Sequence, residues 1–153
     1  MKVFDVISDP SRLAVTPLGN RLYEQVTDVE KIKVVTDCGN WIFTSYKGFK
    51  TNFRSGGILV DRFLDQVGDE QKSKIYKVHD LIYTPCAALD MEHPVSRKLG
   101  DEFIKAGLLW AKMSYFKAQT VYAAVRMFGK SAYDDDDELT ESNSKLFTFT
   151  WES

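Results

Sequence analysis

His79-Asp80-Leu81-Ile82-Tyr83 sets an imidazole, a carboxylate and a phenol close together, and Arg97 and Asp101 follow eighteen and twenty-two residues after the histidine. A carboxylate that orients an imidazole, which in turn takes a proton from water, is the equipment of general-base hydrolysis. On a helix, successive side chains point about 100° apart. His79 therefore shares a face with Tyr83 and Tyr76, while Asp80 turns away from it. The two cannot pair locally, so the carboxylate for His79 has to come from elsewhere, and Asp101 on the following helix is the obvious supplier. Arg97, one turn before Asp101, would pair with Asp80 or Asp101 and balance the charge. The catalytic candidates are thus His79, Asp101, Asp80 and Tyr83. With Arg97 the same set could instead form a buried polar clasp that joins two helices and satisfies every member without a substrate. The residues by themselves favour the clasp and leave the chemistry open.

Other candidates are weaker. Gly56-Gly57 could present backbone N–H groups to an anion at a helix start, but neither a P-loop nor a G-x-G-x-x-G pattern is present, and a tight turn explains the pair. The acid run Asp134 to Glu138 lacks the alternating spacing and central glycine of a calcium loop. Cys38 and Cys86 stand outside any C-x-x-C or Cys/His pattern, which suggests a reducing compartment. No metal and no cofactor is expected on these grounds. His93, between Glu92 and Pro94, reads as an exposed loop residue.

The elements that must position these groups fall into two halves. Val3 to Ile7, Leu22 to Val26, Lys31 to Val35 and Trp41 to Tyr46 are short runs rich in β-branched and aromatic residues. Asp37-Cys38-Gly39-Asn40 is turn chemistry for a hairpin between the last two. Residues 8–20 are punctuated by Pro and Gly and read as loop around at most one short extended stretch. After Gly56-Gly57 the period becomes helical: one helix over Ile58 to Val67, a second from about Glu70 to Tyr83, and a third capped by Ser96 with Leu99, Phe103, Ala106 and Trp110 on one face. Gly107 reads as a bend. The longest helix is expected over about Leu109 to Phe128, stopped by a left-handed cap at Gly129.

With 153 residues, 44% hydrophobic and 27% charged, the chain fits one domain, large enough to bury roughly 70% of its unfolded surface. The formal charge of -2 shows no basic footprint, so no nucleic-acid partner is expected. The start carries Asp5 where a signal peptide would be apolar, and no run is long enough to span a bilayer. The chain reads as soluble and unprocessed. The expected fold class is α+β: a small N-terminal antiparallel sheet of hairpins, then a bundle of three to four helices, then a C-terminal strand. The domain runs over residues 1–133, an acidic flexible tether over 134–145 and the strand over 146–153. Leu146, Phe147, Phe149 and Trp151 alternate with polar residues, so this strand could close the chain's own sheet or add to the sheet edge of another subunit.

Four ordered segments carry a resemblance. Gly48-Phe49-Lys50-Thr51-Asn52-Phe53-Arg54-Ser55, Val78-His79-Asp80-Leu81-Ile82-Tyr83, Ser96-Arg97 with Asp101, and Ala123-Ala124-Val125-Arg126-Met127-Phe128-Gly129 resemble the phage-associated family known as domain of unknown function 1353. The resemblance spans roughly Gly48 to Tyr133. It implies a protein of a tailed bacteriophage or prophage, in the virion or the host cytoplasm, with other phage proteins or copies of itself as partners. Asn52 stands where the family has an acid, and Gly56-Gly57 where it has a Pro-containing pair. If that acid served catalysis or a metal, this copy would be impaired.

A further similarity, to secretory phospholipases, rests on the order Gly56-Gly57, His79-Asp80-Tyr83 and Asp101. It implies water activation by His79, orientation by Asp101, and calcium held by Asp80 with glycine-loop carbonyls. The disulfides of those enzymes have no counterpart here. The leading expectation is a non-enzymatic virion or assembly component; the alternative is a His/Asp hydrolase acting on lipid or another envelope ester.

Overall fold

The computed structural model describes residues 1–20, 22–51, 70–134 and 137–152. The expected helix over Ile58 to Val67, Asn52 and the Gly56-Gly57 pair lie outside the described residues. The fold is α+β. Its strands are β1 (Val3–Asp9), β2 (Val15–Gly19), β3 (Leu22–Gln25), β4 (Val29–Thr36), β5 (Gly39–Tyr46) and β6 (Lys50–Thr51). The helices α1 (Glu70–Ile82), α2 (Arg97–Trp110), α3 (Tyr115–Phe128), α4 (Lys130–Asp134) and α5 (Glu138–Ser144) follow, and β7 (Phe147–Glu152) ends the described chain.

An antiparallel sheet runs in the order β1-β4-β5-β7, and a smaller one in the order β2-β3-β6. The β4–β5 hairpin forms where the turn chemistry at Asp37 to Asn40 places it, with Thr36 opposite Gly39. Alternation along β4 sends Glu30, Ile32, Val34 and Thr36 inward. Val6, Val34, Trp41 and Trp151 stand in one cross-strand row, and Ile32, Phe43 and Phe149 in the next. Ile75, Val78, Leu81 and Ile82 of α1 and Phe103, Ile104 and Leu108 of α2 complete the core that this face bounds, with the Trp41 and Phe103 rings 5.6 Å apart.

The helical half departs from expectation in three places. The helix expected from about Leu109 to Phe128 starts later: Leu109 and Trp110 end α2, Lys112 takes φ 69°, and Ser114 caps α3 by accepting from the Lys117 N–H. Gly107 is no bend. It lies inside α2, and an added Cβ would sit 2.7 Å from Ile75 Cδ1, so its role is close helix packing. Gly129 is right-handed at φ -80°, ψ -12°, and the chain continues into α4 rather than stopping at a left-handed cap.

The tail also carries more structure than a tether. Asp137 caps α5 by accepting from the Thr140 N–H at 2.8 Å, which draws residues 138–144 into a helix. Asn143 then bonds the Lys50 backbone at both its N–H and its carbonyl, tying α5 to β6. The terminal strand takes the first of its two expected roles: β7 pairs antiparallel with β5 of its own sheet. Phe147 and Phe149 are buried, Leu146 is half-buried, and Trp151 alone of the four expected contact residues stays well exposed, at 65%. The side chains of Phe147 and Phe149 belong to the chain's own core, while β7 itself is the edge strand of its sheet among the described residues.

Candidate functional site

His79 and Asp101 meet. The imidazole Nε2 lies 3.1 Å from Asp101 Oδ1, and the two side chains are 1% and 0% exposed. The helices reach this separation because Ile82 and Ile75, one heptad apart on α1, nest on Gly100 and Gly107 of α2. A Cβ on either glycine would come within 3.0 Å of isoleucine carbon. The close approach sets Asp101, next to Gly100, against the His79 and Tyr83 face.

Asp101 receives more than histidine. Tyr83 donates its hydroxyl to Oδ1 at 2.5 Å, and Arg126 of α3 donates to Oδ2 at 2.7 Å. Burial alone would raise the Asp101 carboxyl; hydrogen bonds from His79, Tyr83 and Arg126 outweigh it and hold the group below its usual range. Burial, reinforced by the bond to Asp101, pushes the Tyr83 phenol up, so it stays a protonated donor. The His79 and Tyr83 rings lie 4.3 Å apart.

Two expected members make their hydrogen bonds elsewhere. Asp80 does not touch Asp101; it turns from His79 as the helical angle requires and accepts the Thr51 hydroxyl. Arg97 Nε stands 3.9 Å from Asp101 Oδ2, too far for a hydrogen bond. Its guanidinium instead donates to the carbonyls of Val125 and Arg126 at 2.9 and 2.7 Å, closing the C-terminal end of α3. Arg97 therefore pairs with Asp101 as an ion pair at 3.9 Å, as expected, and the hydrogen-bonded cation, at 2.7 Å, is Arg126. It stood in the fourth family segment, but nothing local assigned it a partner, because its contact is with a residue 25 positions away.

A second buried network was missed altogether. Lys77, on the side of α1 opposite His79, pairs with Glu30 of β4 and donates to Gln25 Oε1 at 2.7 Å. Ser45 donates to the same oxygen at 2.7 Å. Burial lowers the Lys77 ammonium from its ordinary value, and the facing Glu30 carboxylate opposes that shift. Strand parity was the available signal: Glu30 has the inward phase of Ile32 and Val34, and a carboxylate there demands a buried cation. His93 is not a free loop residue either; it stacks on Tyr133 with ring centroids 3.7 Å apart.

Two surface cavities among the described residues, of about 440 and 220 Å³, are lined by Met91 to Ser96 with Tyr133, and by Met1, Glu102, Lys105, Ala106, Leu109 and Tyr122. Neither includes His79. Among the described residues no cluster of three metal-ligating side chains occurs, and no helix is long and apolar enough to cross a membrane.

The chain matches, over residues 27–125, the family model described as protein of unknown function (DUF1353). It belongs to that family. No curated protein and no solved structure matches it. The match begins well before Gly48, so the β4–β5 hairpin belongs to the family region, which the sequence resemblance had left outside; it ends at Val125, one residue short of Arg126. Side-chain bonds link the four family segments in one chain of contacts across α1, α2 and α3. Thr51 bonds Asp80, Asp101 takes His79 and Tyr83, Arg126 closes Asp101, and Arg97 closes the end of α3.

Proposed function

We propose that this protein is a non-enzymatic component of a bacteriophage particle or of its assembly, acting through protein–protein contacts. The phage setting rests on the family resemblance. The observation that carries the non-enzymatic reading is the state of Asp101: wholly buried, it accepts from His79, Tyr83 and Arg126 at once. A carboxylate already neutralised by a guanidinium does little to stabilise an imidazolium, which is the task of the acid in a His/Asp dyad. What the network does well is specify how three helices sit together. The virion or the host cytoplasm is then its place. Purified virions of the phage that carries this gene should contain the chain, and a nonsense allele should give incomplete particles. Complete, infectious virions lacking the chain would defeat this reading.

A second reading has one observation in its favour. His79 Nε2 lies 3.1 Å from Asp101 Oδ1, the imidazole–carboxylate contact by which an acid orients a water-activating histidine. In a calcium-dependent, phospholipase-like hydrolase, His79 would take the proton and Asp101 with Tyr83 would hold the ring. Vesicle hydrolysis in calcium, abolished by His79→Ala in a variant that keeps its circular dichroism, supports this reading. No hydrolysis by the parent chain removes it.

A further inference from the structure

His93 and Tyr133 fasten α4 to the loop before α2. Their rings stack with centroids 3.7 Å and planes 17° apart, and the Tyr133 hydroxyl donates to the Val95 carbonyl at 3.1 Å. Tyr133 also meets the Tyr83 ring edge to face at 5.2 Å, and Tyr83 is a donor to Asp101. The stack therefore joins α4, the loop at residues 91–96 and the Asp101 network. Within it, His93 Nδ1 is shut off from solvent and has no hydrogen-bond partner. A neutral imidazole tolerates this, because with its proton on Nε2 the buried nitrogen is a bare acceptor. An imidazolium does not. Both of its nitrogens carry N–H, and a buried charged donor with no acceptor is costly.

The groups around the ring divide. Glu92 on the same loop, Asp134 on α4 and the Ile82 and Tyr133 carbonyls favour the charged form; burial outweighs them and lowers His93 from its ordinary value of 6.5. Asp134 is itself paired with Lys130 at 2.7 Å and feels Arg97 at the head of α2. Burial raises both phenols, Tyr83 and Tyr133, so they stay neutral. Solvent is close at hand in the cavity of about 440 Å³ that borders this loop and Tyr133. We infer that His93 and Tyr133 form an acid-sensitive latch: stacked while His93 is neutral, it holds α4 against the loop and Tyr83, and protonation of Nδ1 releases α4. The inference concerns a movement of the fold and stands independently of the function proposed above.

The sign follows from linkage. The closed state leaves Nδ1 bare and the open state lets it take a proton, so the latch is fastened above the ordinary value and loosens as pH falls below it. Between about pH 7.5 and about pH 5.5 an open imidazole of ordinary value raises opening by up to about tenfold. The Tyr133 amide, which bonds the Gly129 carbonyl at 3.0 Å, reports this opening. Its hydrogen exchange, followed by NMR in the full chain and corrected for the intrinsic rate, should show opening rise about three- to tenfold over that range. Amides of β4 should keep their protection. His93→Phe retains a ring to stack but takes no proton, and should show no rise. In the parent chain, the His93 ring resonances should titrate with a midpoint below 6.5. A midpoint at or above that value overturns the inference, as does a parent chain with no rise, an equal loss of protection in β4, or a rise that His93→Phe retains, which would trace it to Glu92 or Asp134.

Discussion

Asp101 of α2 holds the centre of the molecule, because its two oxygens collect donors from both neighbouring helical segments: His79 of α1 with Tyr83 just after it, and Arg126 of α3. Asp101→Asn keeps the shape and removes the charge; Arg126 is 34% exposed and is compensated by water, so the cost is that of weakening the charged hydrogen bonds to this side chain, about 1.5–3 kcal/mol. The urea midpoint should fall accordingly at pH 7. The pH dependence has a definite sign. The folded carboxyl is held below its ordinary value of 3.8, so the folded state binds fewer protons than the unfolded state in that range. The stabilisation is complete above the unfolded value and is lost as pH falls through the folded one. Unfolding free energies measured from pH 6 to pH 2 should show this acid loss in the parent chain and a flatter profile in Asp101→Asn. Parallel profiles would place the titration elsewhere.

At the scale of elements, the contact between α1 and α2 decides whether those donors meet. Gly100 and Gly107 let the two helices approach, and Ile82 and Ile75 fill the space that side chains would take. Gly100→Ala sets a new Cβ 2.6 Å from Ile82 Cγ2. Ile82 is β-branched and wholly buried, so it cannot swing clear and the helix must shift. Overpacking of this kind costs about 1–3 kcal/mol, more than the helix propensity that alanine adds. Thermal unfolding should register a lowered midpoint; an unchanged or raised midpoint would mean that the interface has slack. The sequence marked α1 and α2 well, because apolar spacing and the Ser96 cap are local signals. It misread Gly107, since a glycine kept free of a side chain for a neighbour looks the same in sequence as one that bends the chain. It also set the start of α3 too early, at about Leu109, because Ser114, an ordinary polar residue in the line of sequence, gives little sign that it caps a new helix.

Across the whole molecule, the terminal strand is structural. Phe147 and Phe149 of β7 are buried against Phe49 and Phe43, with ring centroids 6.0 and 5.1 Å apart. Each is worth roughly 2 kcal/mol of burial, and removing the strand also uncovers Trp41 and Phe43 on β5. Against a typical total of about 5–15 kcal/mol, a chain ended at Leu146 should fail to fold. Its near-ultraviolet circular dichroism should be flat and it should bind hydrophobic dyes, whereas a native spectrum would show that β7 is dispensable.

Local rules in the sequence determined the α+β class, the β4–β5 hairpin, the extent of α1 and the need for Asp101 as the partner of His79. Those follow from the two-residue period of strands, the 3.6-residue period of helices and the angle between neighbouring side chains. Tertiary structure decided the rest. Arg126 joins Arg97 in neutralising Asp101 and alone donates to it, Asp80 turns to Thr51, Lys77 and Glu30 join helix to sheet, and β7 returns to its own β5. Each of these pairings joins residues at least 25 positions apart, where periodicity carries no information and the packing of complete elements selects which of several compatible charges come together.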